Sequence, residues 1–143
     1  MFRNVLVAVD GSAGSRKAAA FARQLMTDPA TKLTALLAIE PESAVLIGPF
    51  DTYVPRAQNP TPEGVAAAHA LIDDLRAVLG AERVEVRVEV GRPAELICKI
   101  GDEIQADVIV VGARGLDPAE RWLLGSVSEK VMRHAGRPVT VVR

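Results

Sequence analysis

Aromatic residues make up only 3% of this 143-residue chain: one Trp, one Tyr and three Phe. Single-stranded nucleic acid is bound on platforms of several stacked aromatics, and there are too few here to build one. Excess charge is missing too. Seventeen Lys and Arg stand against 18 Asp and Glu, for a formal charge of −1, so no basic surface is predicted for DNA or RNA. There is a single cysteine, Cys98, which excludes an internal disulfide and suits a cytoplasmic home. Long apolar runs are absent. The five apolar residues of "VLVAV" before Asp10 fall short of a signal-peptide core, and nothing approaches the roughly 18 residues of a membrane span. No membrane partner is therefore expected.

What is abundant is small and aliphatic. Hydrophobic residues are 49% of the chain, mostly Val, Ala, Leu and Ile, enough to bury one core in one domain covering 1–143. "NVLVAVD" (4–10) is an unbroken apolar run, the mark of a strand covered on both faces. A helix follows, with Ser12 as N-cap and Ala18, Phe21, Ala22 and Leu25 on one face. "KLTALLAIE" (32–40) is a second buried strand, completing a βαβ unit and hence a parallel pair. Residues 41–64 contain five prolines and break all periodicity, which predicts a long surface loop. Thr61 then caps a helix with Pro62 at its first position and a stripe of Val65, Ala68, Ile72, Leu75 and Leu79.

"RVEVRVEV" (83–90) alternates charged residues with valine, a strand with one wet face at or near a sheet edge. Gly91 turns into a helix starting at Pro93, with Ile97, Ile100 and Ile104 on one side. "ADVIVVG" (106–112) is another buried strand. A polar loop leads to a helix at 126–135, closed by Gly136 as C-cap, and a last strand at 138–142. The order β-α-β-α-β-α-β-α-β predicts an α/β doubly wound parallel sheet with helices on both faces.

In such sheets ligands sit beyond the carboxyl ends of strands. The first strand ends in Asp10-Gly11-Ser12 and the fourth in Gly112-Ala113-Arg114-Gly115. Were these strands neighbours, their ends would share a crevice. Gly112 and Gly115 let backbone turn and approach a ligand, while Gly125-Ser126 offers helix-start amides and a dipole that favour an anion. Ser126 and Ser128 add hydroxyls, and Arg114 is the nearest cation. Asp10 repels phosphate and suits a ribose hydroxyl or an adenine amine. Ser126-x-x-Glu129 is equally a capping box, so spacing alone leaves a mere cap and a phosphate site both open. Neither G-x-G-x-x-G after the first strand nor a P-loop is present. His134 reads as a favourable charge at a helix C-terminus, His69 and Asp73-Asp74 as solvated, and Cys98 as a small buried hydrophobe. Asp51 and Asp117 are loop acids without partner ligands, and no metal cluster is visible. Trp122 with Leu123-Leu124 reads as an anchor that buries part of the loop, with a solvent-facing lid as the alternative.

These features together resemble the universal stress protein family over residues 3 to 142. "NVLVAVDGS" is similar to its opening strand, "GRPAELI" to its third helix, and Gly112-x2-Gly115-x9-Gly125-Ser126 to the G-2x-G-9x-G-[S/T] signature of its ATP-binding branch. The resemblance implies a five-stranded sheet of order 3-2-1-4-5. It implies ATP as ligand: Ala8, Asp10 and Ile39 beside adenine and ribose, Gly112, Ala113, Arg114 and Gly115 on ribose and α-phosphate, and Gly125, Ser126, Val127 and Ser128 on the outer phosphates. Mg²⁺ would ride mainly on the phosphates. It also implies a homodimer through strand 138–142 and a stress-linked regulatory role. A ligand-free dimeric interaction module and a slow ATP hydrolase are the alternatives. Two departures from the family are the proline-rich 41–64 segment and the acids Asp117 and Glu120 between the glycines, which are expected to face water.

Overall fold

The computed structural model describes residues 1–40, 44–47, 52–55, 62–80, 83–113 and 124–143. Its elements run β1 (Asn4–Val9), α1 (Ala13–Gln24), β2 (Lys32–Ile39), β3 (Ala44–Ile47), β4 (Thr52–Pro55), α2 (Pro62–Leu79), β5 (Val84–Val90), α3 (Pro93–Glu103), β6 (Val108–Gly112), α4 (Ser126–His134) and β7 (Val139–Val142). Five strands form one sheet of order β5-β2-β1-β6-β7, and every pair in it is parallel. Counted along the chain, this is the 3-2-1-4-5 order.

The strand pleat explains why the apolar runs are continuous. Val5, Val7 and Val9 of β1 point into one core with Ala18, Ala19 and Ala22 of α1 and Ala68, Leu75 and Leu79 of α2. Leu6 and Ala8 point the other way, toward Ile97 and Ile100 of α3 and Val131 of α4. A strand covered on both faces has no polar side to show, and side chains like these contribute roughly 1.5–3 kcal/mol each on full burial. β1 is the middle strand, paired with β2 through Val5↔Leu33 and with β6 through Val5↔Val108. β5 lies at an edge, as its alternation predicts, with Val88 and Val90 exposed.

Three expectations are corrected. Residues 41–64 are not wholly a loop: Ala44–Ile47 pairs antiparallel with Thr52–Pro55. The β-branched and aromatic residues there outweigh the prolines, and Pro55 ends one strand of a two-stranded pair, an edge position where proline is tolerated. On α2, Leu71 rather than Ile72 joins the buried face. α4 is closed by Ala135 in an extended conformation (φ −66°, ψ 131°), not by Gly136. The expected cap Thr61 lies outside the described residues, whereas Pro62 does open its helix.

Gly112 is a glycine for a reason the sequence reading missed. A β-carbon there would lie 2.5 Å from the carbonyl carbon and oxygen of Gly14, and one on Gly14 would lie 2.8 Å from the Ala113 oxygen. The first turn of α1 is thus pressed backbone to backbone against the end of β6. At the opposite end of the sheet, the Asp107 carboxylate accepts the main-chain N–H groups of Arg3 (2.6 Å) and Asn4 (2.9 Å), and these bonds hold its pKa below the usual carboxylate range.

Gly112→Ala is expected to destabilise the protein by about 1–3 kcal/mol through overpacking, read as a lower Tm in nucleotide-free protein; an unchanged Tm would return Gly112 to a purely ligand-facing role. Because the folded pKa of Asp107 is depressed, its contribution is present above the unfolded value of about 3.9 and is lost as pH falls through the folded value. Thermal melts from neutral to acid pH should therefore show Asp107→Asn less stable than the parent at neutral pH, the two curves converging in acid.

Candidate functional site

Beyond the carboxyl ends of β1, β2 and β6 lies an open cleft of about 580 Å³, including the space open to solvent at its mouth. Its walls come from six elements, α1 among them through Ser15. β1 supplies Ala8, Val9 and then Asp10; β2 supplies Leu36 and Ala38; β6 supplies Val111 and Gly112. Pro93 and Ile97 of α3 close one side, and Val127 and Ser128 of α4 another. Aliphatic and proline side chains predominate, giving a flat apolar lining with a polar fringe. Among the described lining residues, Asp10 is the only ionisable side chain.

The fringe is built by the turn from β1 into α1. Gly11 takes a left-handed φ of 83°, which its missing β-carbon allows. The Ser12 N–H donates to Asp10 Oδ1 (2.9 Å), and Ser12 Oγ caps α1 by accepting the Ser15 N–H (3.1 Å). The Ser15 hydroxyl accepts the Asp10 N–H (3.3 Å) and donates to the Ser12 carbonyl (3.1 Å). The N-cap expected at Ser12 is present; the two bonds of Ser15 carry no sequence signature beyond a serine inside a helix.

At the far side, α4 closes the capping-box alternative that spacing left open. The N-cap is Gly125 (φ −63°, ψ 156°), with no side-chain hydrogen bond to the helix start. Ser126 is already helical and exposed, and Glu129 turns away to pair with Arg133 at 2.8 Å. Ser128 is buried, and its hydroxyl donates to the Gly125 carbonyl at 3.0 Å. No described side chain competes for the leading amides of α4, where the dipole is positive.

Of the residues expected at the site, Ala8, Asp10, Gly112, Val127 and Ser128 line the cleft. Gly125 and Ser126 stand beside it as the start of α4. Ile39 packs toward α1 and α2, on the opposite sheet face from Ala38, and its carbonyl accepts the Gly91 N–H at 2.9 Å. The Ala113 amide is engaged by the Val142 carbonyl at 2.8 Å. Arg114, Gly115, Asp117, Glu120 and Trp122 lie outside the described residues, as does Asp51. Leu36, Ala38, Pro93 and Ile97 were read only as fold residues. Their position at the carboxyl ends of strands, or in the first turns of α3, was the signal available.

The remaining candidates take structural roles. His134 Nδ1 lies 2.8 Å from the Lys130 carbonyl, at the end of α4. Asp74 pairs with Arg16 at 2.6 Å across an exposed surface, a contact worth at most about 1 kcal/mol. Burial, and secondarily Asp102, push the Cys98 thiol up, which keeps it protonated at neutral pH. Among the described residues no group of His, Cys, Asp or Glu is arranged to hold a metal ion, and no helix is long and apolar enough to cross a membrane.

A doubly wound five-stranded parallel sheet with a cleft at its carboxyl end defines a small α/β domain. The family model described as "Universal stress protein family" matches residues 1–143, and the chain belongs to that family. A universal stress protein of Staphylococcus aureus (strain USA300) is 34% identical over 146 residues, an alignment covering 99% of this chain and 84% of the relative. The crystal structure of a universal stress protein in complex with cAMP is 30% identical, with a TM-score of 0.69 and coverage of 99% and 97%. An Archaeoglobus fulgidus universal stress protein in complex with dAMP is 20% identical, TM-score 0.65, covering 98% and 97%, and shares the fold.

Two serines separate capping from site chemistry. Ser12→Ala is expected to cost about 1 kcal/mol of stability through the lost cap, whereas Ser126→Ala should stay within about 0.5 kcal/mol of the parent. Denaturant midpoints compare them, and an equal loss from Ser126→Ala would restore the capping-box reading.

Proposed function

We propose that this chain binds an adenine nucleotide in the cleft, with ATP as the principal ligand, and acts as a regulatory protein of the universal stress type. The observation that carries the reading is the pairing of an apolar-walled cleft with a helix start that no described side chain caps. A purine is flat and largely apolar, and Leu36, Ala38, Pro93 and Ile97 offer it matching walls. The phosphates then lie toward Gly125 and Ser126, where main-chain N–H groups and the α4 dipole receive negative charge. Asp10 takes a neutral donor from the ligand. The cAMP complex of the 30%-identical relative supports an adenine nucleotide in this fold.

Binding rather than turnover is the reading the cleft favours. Asp10, its one described ionisable side chain, is tied into the β1–α1 turn and so does not serve as a poised base. Mg²⁺ enters with the phosphates. The signature residues Arg114 and Gly115 complete the phosphate end in this proposal. A second copy of the chain adds to the outer edge of β7, at 138–142, where the main sheet ends.

Calorimetry with ATP and with cAMP on purified protein tests this. ATP is expected to release heat with saturable binding, and Ser126→Ala to weaken it about three- to tenfold by loss of one hydroxyl contact. Absence of heat at millimolar ATP would reduce the chain to an interaction module. Light scattering on the same samples should give the mass of a dimer.

A further inference from the structure

We propose that Ser15 is a positioning residue of the cleft: its hydroxyl holds Asp10 where the carboxylate accepts a hydrogen bond from a ribose hydroxyl, and thereby sets a preference for ribose over deoxyribose. This rests on the nucleotide reading of the cleft.

Ser15 lies in the first turn of α1, lines the cleft, and is only 5% exposed. A helix at this point has no need of a hydroxyl. Ser12 already caps it through the Ser15 N–H, alanine is the better helix former, and the neighbouring Ala18 and Ala19 show that small apolar side chains suit this face. A buried hydroxyl is costly unless bonded. Ser15 is bonded twice, to the main chain on either side of Gly11: it accepts from the Asp10 N–H and donates to the Ser12 carbonyl. Its effect is to fix the backbone of Asp10, while the Ser12 N–H fixes the carboxylate at Oδ1.

The frame holding Ser15 is itself rigid. Gly14, the preceding residue, is packed against Gly112 and Ala113 with no room for a β-carbon, so the α1 turn cannot slide along the cleft. Two features favour the ribose as the partner of Asp10. The carboxylate is an acceptor only and repels phosphate. Asp10 is also exposed at the mouth, whereas the walls suited to a base, Leu36, Ala38 and Ile97, are apolar. A base seated among them leaves its sugar at the rim.

The experiment compares ATP, 2′-deoxy-ATP and 3′-deoxy-ATP by calorimetry on the parent, Ser15→Ala, Ser15→Cys and Ala19→Gly. The parent is expected to bind at least one deoxy form about tenfold more weakly than ATP, the usual loss for one hydrogen bond to a charged group. Ser15→Ala should narrow that ratio to about threefold or less. Ser15→Cys, close in shape but a poorer donor and acceptor, should fall between, and it carries the test should the alanine variant not fold. Ala19→Gly weakens the same helix one turn further on and should keep the parental ratio, which separates positioning from general loss of stability. Equal binding of all three nucleotides by the parent, or an undiminished ratio in Ser15→Ala, overturns the proposal. A parent that binds none of the three nucleotides overturns the nucleotide reading itself, and this inference with it.

Discussion

The first turn of α1 and the end of β6 meet main chain on main chain, where the Gly14 carbonyl faces Gly112 with no space for a methyl group on either side. Side chains can repack around a changed neighbour; backbone at this distance cannot. The contact sets how near the first turn of α1 lies to the end of β6. Asp10, Ser12 and Ser15 ride on that turn, so the polar fringe of the cleft inherits its position from two residues that carry no side chain. The central place of β1 does the rest. With β2 on one side and β6 on the other, the ends of three strands converge on one crevice, and α3 and α4 cover it from the same sheet face.

Much of this architecture was legible because the two faces of the sheet are both apolar. Continuous runs such as "NVLVAV" and "VIVVG" leave little choice but burial between helix layers, and the charged alternation of β5 announced its edge. The misreadings share a cause: local signals were weighed without the partner they meet in space. Prolines outweighed the β-forming residues of Ala44–Ile47 and Thr52–Pro55, which find each other as an antiparallel pair. Ser126-x-x-Glu129 matched a cap by spacing, yet the helix begins one residue earlier than that motif requires, and Glu129 finds Arg133 instead.

The site was legible in part for a similar reason. Asp10, Gly112 and Gly125-Ser126 stood out because they set polar or side-chain-free residues directly beside the apolar runs of β1 and β6 and at the start of α4. Leu36, Ala38, Pro93 and Ile97 did not, because a wall is made of the same residues as a core, and only the sheet order reveals which of them are left uncovered. Gly112 was singled out for approach to a ligand, while the structure gives it a packing duty first. Both duties need a missing β-carbon, and sequence cannot separate them.

The central strand has a consequence for synthesis on the ribosome. β1 emerges first and finds β2 quickly, since only the α1 crossover separates them. Its other partner is distant: the main-chain N–H of Arg3 bonds the carboxylate of Asp107, 104 positions later. Until that partner emerges, one hydrogen-bonding edge of an apolar strand faces water bare, a sticky intermediate of the kind that recruits chaperones or mispairs with another nascent chain. Translation speed between β2 and β6 therefore bears directly on the yield of folded molecules.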